Sequence, residues 1–212
     1  AFEALRDKVP VTAQAVRTGL AMVELPGRFQ VLPGEPVLVL DVAHNPHSVA
    51  ALAANLDSMG ATFPTTHAVF GAMADKDLAP MLEKISPLIN RWYFTDLPVP
   101  RAAKAVDLQR QWRSLEKSAA PPDAVPPEAV FSEKAGPAVR LSVHRNKSAQ
   151  SPQGQAQAAQ KFSQTFAQPE HALKAALAAA GPADRIVVFG SFYTVGEVVK
   201  DGPPRLHAKH LG

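Results

Sequence analysis

Val37-Leu38-Val39-Leu40-Asp41-Val42-Ala43-His44-Asn45-Pro46 is the stretch that decides the fold. Four consecutive apolar residues read as a strand buried on both faces, the pattern of a parallel sheet. Asn45 and Pro46 then read as the N-cap and first residue of a helix. A carboxylate, an imidazole and a helix N-terminus therefore meet where a strand ends, which is where open α/β sheets take their ligands.

Outward from this stretch the period keeps switching. Upstream, Arg28-Phe29-Gln30-Val31-Leu32 alternates like a strand, and Pro33-Gly34-Glu35-Pro36 turns it back into Val37–Leu40 as an antiparallel hairpin. Downstream, Val49, Leu52, Ala53 and Leu56 repeat at the spacing of one helix face, with Gly60 placed to stop the helix. His67-Ala68-Val69-Phe70 reads as a strand ending at Gly71, and Leu78, Met81, Leu82 and Ile85 as a helical stripe closed by Pro87. Trp92-Tyr93-Phe94 is another core strand. Ala172, Leu173, Ala176 and Leu177 line a helix stopped by Gly181-Pro182, and Ile186-Val187-Val188-Phe189 is a strand before Gly190-Ser191 and a short final helix. The alternation predicts an α/β fold: a Rossmann-like, doubly wound, mostly parallel sheet with one antiparallel strand at its start. Residues 2–24 read as two helices broken at Val9-Pro10-Val11-Thr12. Between about residues 114 and 166 the pattern dissolves into Pro-, Ser- and Gln-rich composition, read as a long, poorly ordered surface insertion with a short helix around Gln155–Phe166.

Composition narrows the class. The chain has 212 residues, 46% of them hydrophobic and 19% charged, a globular balance long enough for one good core. It has no cysteine, which excludes disulfides and thiolate metal sites and fits a reducing compartment, so cytoplasmic localisation is expected. No apolar run reaches the roughly 18 residues of a membrane span, so no membrane partner is expected. The net charge is only +3, and residues 101–150 alone hold nine Lys/Arg against five Asp/Glu. The basic excess thus sits in the least patterned stretch, without interleaved aromatics, and argues against nucleic acid as a partner. The opening Ala1-Phe2-Glu3-Ala4-Leu5 reads as the start of a piece cut from a longer chain.

Four strand ends carry polar or glycine-containing segments: Asp41–Asn45, Gly71–Asp77, Thr95–Arg101 and Gly190–Ser191. In a parallel sheet all four share one edge. Read in order, Leu25-Pro26-Gly27-Arg28-Phe29-Gln30, Asp41-Val42-Ala43-His44-Asn45-Pro46, Gly71 with Asp75-Lys76-Asp77, the Trp92-Tyr93 strand with Pro100-Arg101, and Gly190-Ser191-Phe192 resemble the C-terminal domain of bacterial dihydrofolate synthases/folylpolyglutamate synthases. Those enzymes are members of the Mur ligase superfamily.

The resemblance implies a glutamate ligase domain over residues 25–212, interrupted by the insertion, with residues 1–24 as the helical tail of a preceding ATPase domain. It implies ATP and Mg²⁺ as cofactors, with the magnesium ligands in that other domain and none in this chain. L-glutamate is the implied partner, with dihydropteroate, a reduced folate or both as acceptor, in a monomeric parent. No Gly-x-x-x-x-Gly-Lys-[Ser/Thr] loop occurs in the sequence, so the chain by itself is expected to be inactive. Residue by residue, the resemblance puts Arg28 and Asp41 at ATP, makes His44 catalytic, touching phosphate oxygens or orienting the incoming amine, and puts Asn45, Lys76, Ser191 and Arg101 at the substrate, with Arg101 able to approach the glutamate or the nucleotide. Each also has a plain structural reading, as a cap, a surface charge or an ion pair. Two alternatives are a cell-wall Mur ligase domain, which would carry another sequence at Asp41–Pro46, and a self-sufficient nucleotide-binding or interaction module.

Overall fold

The computed structural model describes residues 8, 10–23, 25–60, 62–119 and 162–202. Helix α1 (Ala13–Ala21) precedes strands β1 (Gln30–Leu32) and β2 (Val37–Leu40), then α2 (Pro46–Ser58) and β3 (Thr66–Phe70). They are followed by α3 (Leu78–Ile85), a 3₁₀ turn (Ser86–Leu88), β4 (Arg91–Thr95), α4 (Ala105–Ala119), β5 (Phe162–Phe166), α5 (Pro169–Ala179), β6 (Arg185–Phe189) and α6 (Phe192–Val199).

These strands form one six-stranded sheet in the order β1-β2-β6-β3-β4-β5. Only the β1–β2 pair is antiparallel, with Gln30 opposite Leu40 and Leu32 opposite Leu38, and its turn contains a cis Glu35–Pro36 peptide. Every other pair is parallel. Strand alternation sends two sets of side chains to opposite faces. Val39, Ala68, Phe70, Trp92, Phe94, Val187 and Phe189 meet Leu52, Leu56, Met81, Leu82, Ile85, Leu108 and Trp112 of α2, α3 and α4. Leu38, Leu40, Val69, Tyr93, Ile186 and Val188 meet Ala172, Leu173, Ala176, Val195 and Val198 of α5 and α6. The sheet is covered on both faces, which is why its strands read as continuous apolar runs.

Three expectations need correction. The insertion is narrower than 114–166 at both ends, because α4 runs on to Ala119 and residues 162–166 are a strand rather than the end of a helix; residues 155–161 lie outside the described residues. Helix α4 stacks Leu108 and Trp112 on β4 and packs Leu115 against the same core, so the chain stays in the core past residue 114. The upstream strand begins at Gln30, not Arg28: Phe29 has φ 44°, which breaks the extended run. Of the two helices read in residues 2–24, the second is α1, and the first lies outside the described residues.

Candidate functional site

At adjacent strands β2 and β6 the chain leaves the sheet in opposite directions, α2 to one face and α6 to the other. That divergence opens a crevice at the carboxyl edge, the usual ligand position in such sheets. The strand order sets the four predicted strand ends side by side, β2, β6, β3, β4, about 4.8 Å apart from one to the next.

On the β2 side, the Asp41 carboxylate holds the turn together. Its Oδ2 accepts the Phe29 N–H at 2.9 Å and its Oδ1 the Ala43 N–H at 2.7 Å. Burial pushes this carboxyl above its usual range, against the pull of those two N–H groups and of the Arg28 guanidinium. The same turn is tied down where the Val42 N–H donates to the Gly27 carbonyl at 2.7 Å. His44 is half-buried, and its Nδ1 lies 2.8 Å from the Val42 carbonyl. A carbonyl only accepts, so Nδ1 carries a proton, and the chemistry open to the ring lies at Nε2. The His44 ring lies 6.0 Å from that of Phe192 across the crevice, and the exposed Arg28 guanidinium lies 6.0 Å from the same ring. Asn45 caps α2: its side chain accepts the Ser48 N–H at 2.9 Å while Ser48 Oγ accepts the Asn45 N–H at 3.2 Å.

On the β3–β4 side, Lys76 and Arg101 share one carboxylate. Asp75 Oδ2 lies 3.6 Å from Lys76 Nζ and 3.3 Å from Arg101 Nη2. Slight desolvation would raise the Asp75 pKa, but its own backbone N–H and the two cations hold it below the usual carboxylate range. Lys76 is partly sheltered, with 32% of its side chain exposed, whereas Arg101 at 75% extends into solvent. Between the two sides lies Ser191, buried, its Oγ accepting the Tyr193 N–H at 3.2 Å as the cap of α6.

All seven predicted residues thus lie along one edge, in two groups: Arg28, Asp41, His44 and Asn45, and Lys76 with Arg101, with Ser191 between. Asp41, Asn45 and Ser191 each already perform the structural task that the sequence offered as an alternative. Sequence reasoning missed Phe192, an aromatic left 57% exposed at a helix start, and the buried Thr194. It also missed Asp96, whose Oδ1 accepts the Ala105 N–H at 2.7 Å and so caps α4. An apolar ring directly after a Gly-Ser strand end was a legible signal; the other two contacts, 123 and nine residues apart, follow no local pattern. Among the described residues no group of three or more His, Asp or Glu is placed to hold a metal ion, and no helix is long and apolar enough to cross a membrane.

The sequence model of the family described as Mur ligase, glutamate ligase domain, matches residues 27–143. The chain is 37% identical over 109 residues to a dihydrofolate synthase/folylpolyglutamate synthase of Escherichia coli strain K12, a match that covers 51% of this chain and 26% of that protein. It is 34% identical over 94 residues to a folylpolyglutamate synthase of Lacticaseibacillus casei, covering 44% of this chain and 22% of that one. Among solved structures, it is similar to E. coli FolC in complex with DHPP and ADP, with TM-score 0.65 and 27% identity over 93% of this chain and 36% of that one. A bifunctional folylpolyglutamate synthase/dihydrofolate synthase with Mn, AMPPNP and L-glutamate bound gives TM-score 0.63 and 28% identity, over 92% of this chain and 36% of that one. The chain therefore spans well under half the length of these relatives.

Proposed function

The chain belongs to the family of Mur ligase glutamate ligase domains, and from that premise we propose that it presents L-glutamate and closes over ATP in a folate-elongating amide ligase. One observation carries the reading: Lys76 and Arg101 converge on one carboxylate, here that of Asp75, at the same sheet edge as an imidazole whose Nδ1 is held by the Val42 carbonyl. On this reading residues 25–212 form the glutamate domain and residues 1–24 the end of the ATPase domain.

The residues present fit a nucleotide. Arg28 offers an exposed guanidinium beside Phe192, suited to phosphate or to stacking on adenine. Each Asp41 oxygen that accepts a backbone N–H retains a lone pair for a ribose hydroxyl. ATP supplies the phosphoryl group that turns the acceptor carboxylate into an acyl phosphate. Lys76 and Arg101 then hold a carboxylate of glutamate, the second as a planar fork, with Asn45 and Ser191 bordering the same substrate. The glutamate ammonium must lose a proton before its nitrogen attacks the acyl carbon. His44 Nε2 is the acceptor, while Val42 holds the other ring nitrogen in place. The C–N bond forms as the C–O bond to phosphate breaks, and the second proton on the nitrogen leaves with the departing phosphate. No Mg²⁺ ligand is assigned to this chain.

The test is mass spectrometry of ATP-dependent glutamate addition to dihydropteroate and to tetrahydrofolate by the full-length protein, with the 212-residue chain as control. A gain of one glutamyl unit by the full-length protein alone is expected. No gain with either acceptor would sink the folate assignment.

A further inference from the structure

We propose that Thr194 is a positioning residue: its hydroxyl latches the carboxyl end of β3 to the first turn of α6, fixing the span between the two sides of the crevice. Thr194 is fully buried, and its Oγ1–H donates to the Gly71 carbonyl at 2.6 Å. Gly71 is the residue at which β3 gives way to the loop carrying Asp75 and Lys76. Thr194 lies in the first turn of the helix that Ser191 caps and Phe192 opens.

The joint leaves no slack. Gly190 has φ +110°, and a Cβ there would lie 2.4 Å from the Gly71 carbonyl oxygen. A Cβ on Gly71 would lie 2.8 Å from Leu97 Cδ2 and 2.9 Å from Thr95 Cγ2, at the end of β4. Two glycines therefore let three strand ends close on one another, and beyond the last ladder pair of β3 and β6, Phe70 with Phe189, one buried hydroxyl joins the end of β3 to α6. Backbone contact alone is weaker here, since the Gly71 N–H reaches the Phe189 carbonyl only at 3.4 Å. Without the hydroxyl, a buried carbonyl loses its partner, and the β3 loop is free to shift against α6.

The catalytic consequence rests on the ligase reading above. Glutamate held by Lys76 and Arg101 at the β3–β4 side, bordered by Ser191 at the start of α6 and facing His44 beyond it, spans the latch. A nucleotide held by Arg28 and Asp41 stays on the β1–β2 side of it. Loosening the latch therefore separates two Michaelis constants, which general damage to the fold would not do.

Two measurements use Thr194→Val, which keeps the shape and removes the hydroxyl, and Thr194→Ser, which keeps the hydroxyl. In the 212-residue chain, hydrogen exchange followed by mass spectrometry should quicken at least tenfold in the peptide covering residues 71–77 of the Val variant. Peptides of α2 should not change, and the Ser variant should exchange like the wild type. In the full-length protein the Val variant should raise KM for L-glutamate at least fivefold, leave KM for ATP within twofold, and be rescued by Ser. Unchanged exchange overturns the latch whatever the enzyme does. Quickened exchange with both constants unchanged, or both raised alike, overturns the positioning role. A wild-type protein that adds no glutamate overturns the ligase reading and leaves the exchange result standing.

Discussion

His44 donates its Nδ1 proton to Val42, so the chemistry open to it depends on the nitrogen left over. Replacing it with Gln in the full-length protein should lower kcat for glutamate addition about 100-fold, the ordinary size of a lost general base, with KM for ATP little changed. A fall below threefold would return the ring to a structural role. His67 behaves in the opposite way. It is fully buried at the start of β3, with Nδ1 3.3 Å from the Tyr93 hydroxyl and Nε2 3.3 Å from Asp184. Burial lowers its pKa, against the hydrogen bond and charge of Asp184, while Arg91 adds to the lowering. Below about pH 6.5 the unfolded chain binds a proton that the native state refuses, so this site's stability falls with pH and levels off beneath the depressed native value. Urea midpoints should therefore drop between pH 7.5 and 5.5, and drop less in His67→Gln. Equal losses in the two proteins would remove His67 as the cause.

At the scale of elements, what the sequence exposed and what it hid follow from whether each signal is local. Helix α2 announces itself within four residues: Asn45, Pro46 and Ser48 form a capping box around a proline first turn. Removing the Asn45 side chain should cost about 1 kcal/mol; at about 2–4 °C per kcal/mol for a chain of this size the melting temperature should fall by a few degrees. An unchanged melting temperature in Asn45→Ala would mean that the exposed cap is replaced by water. Helix α4 gives no such notice. Its apolar stripe of Ala105, Leu108 and Trp112 is plain, but no capping residue precedes it, since Asp96 caps it from nine residues upstream. Strand β5 was obscured for another reason. It sits at the sheet edge with polar Ser163, Gln164 and Thr165 between two phenylalanines, so no buried apolar run marks it. The strand ends of the site were legible because each is a local switch from apolar run to Gly, Asp or Thr. The grouping of Lys76 with Arg101 around Asp75, and the Thr194 latch, join residues distant in sequence, and only the strand order brings them together.

For the whole molecule, the sheet buries one core on each face among the described residues, and the elements on either side of residues 120–161 are already packed into that fold. Helix α4 is already packed against α3, β4 and β5 when the chain reaches Ala119, and β5 pairs with β4 from Phe162 onward. Helices that cross back in such sheets usually need only 2–6 residues to reach the next strand. A six-residue Gly/Ser linker in place of residues 120–161 should therefore close the β4–α4–β5 unit. Shortening the connection roughly sevenfold also removes about 1.7 kcal/mol of loop-closure entropy cost, if the segment behaves as a free loop. The shortened chain should melt cooperatively by calorimetry, at or a few degrees above the temperature of the full chain. A broad transition or a lower melting temperature would mean that the segment contributes core contacts of its own. Glutamate addition by the full-length protein carrying the same deletion should persist, because Arg28, Asp41, His44, Lys76, Arg101 and Ser191 all lie outside the segment.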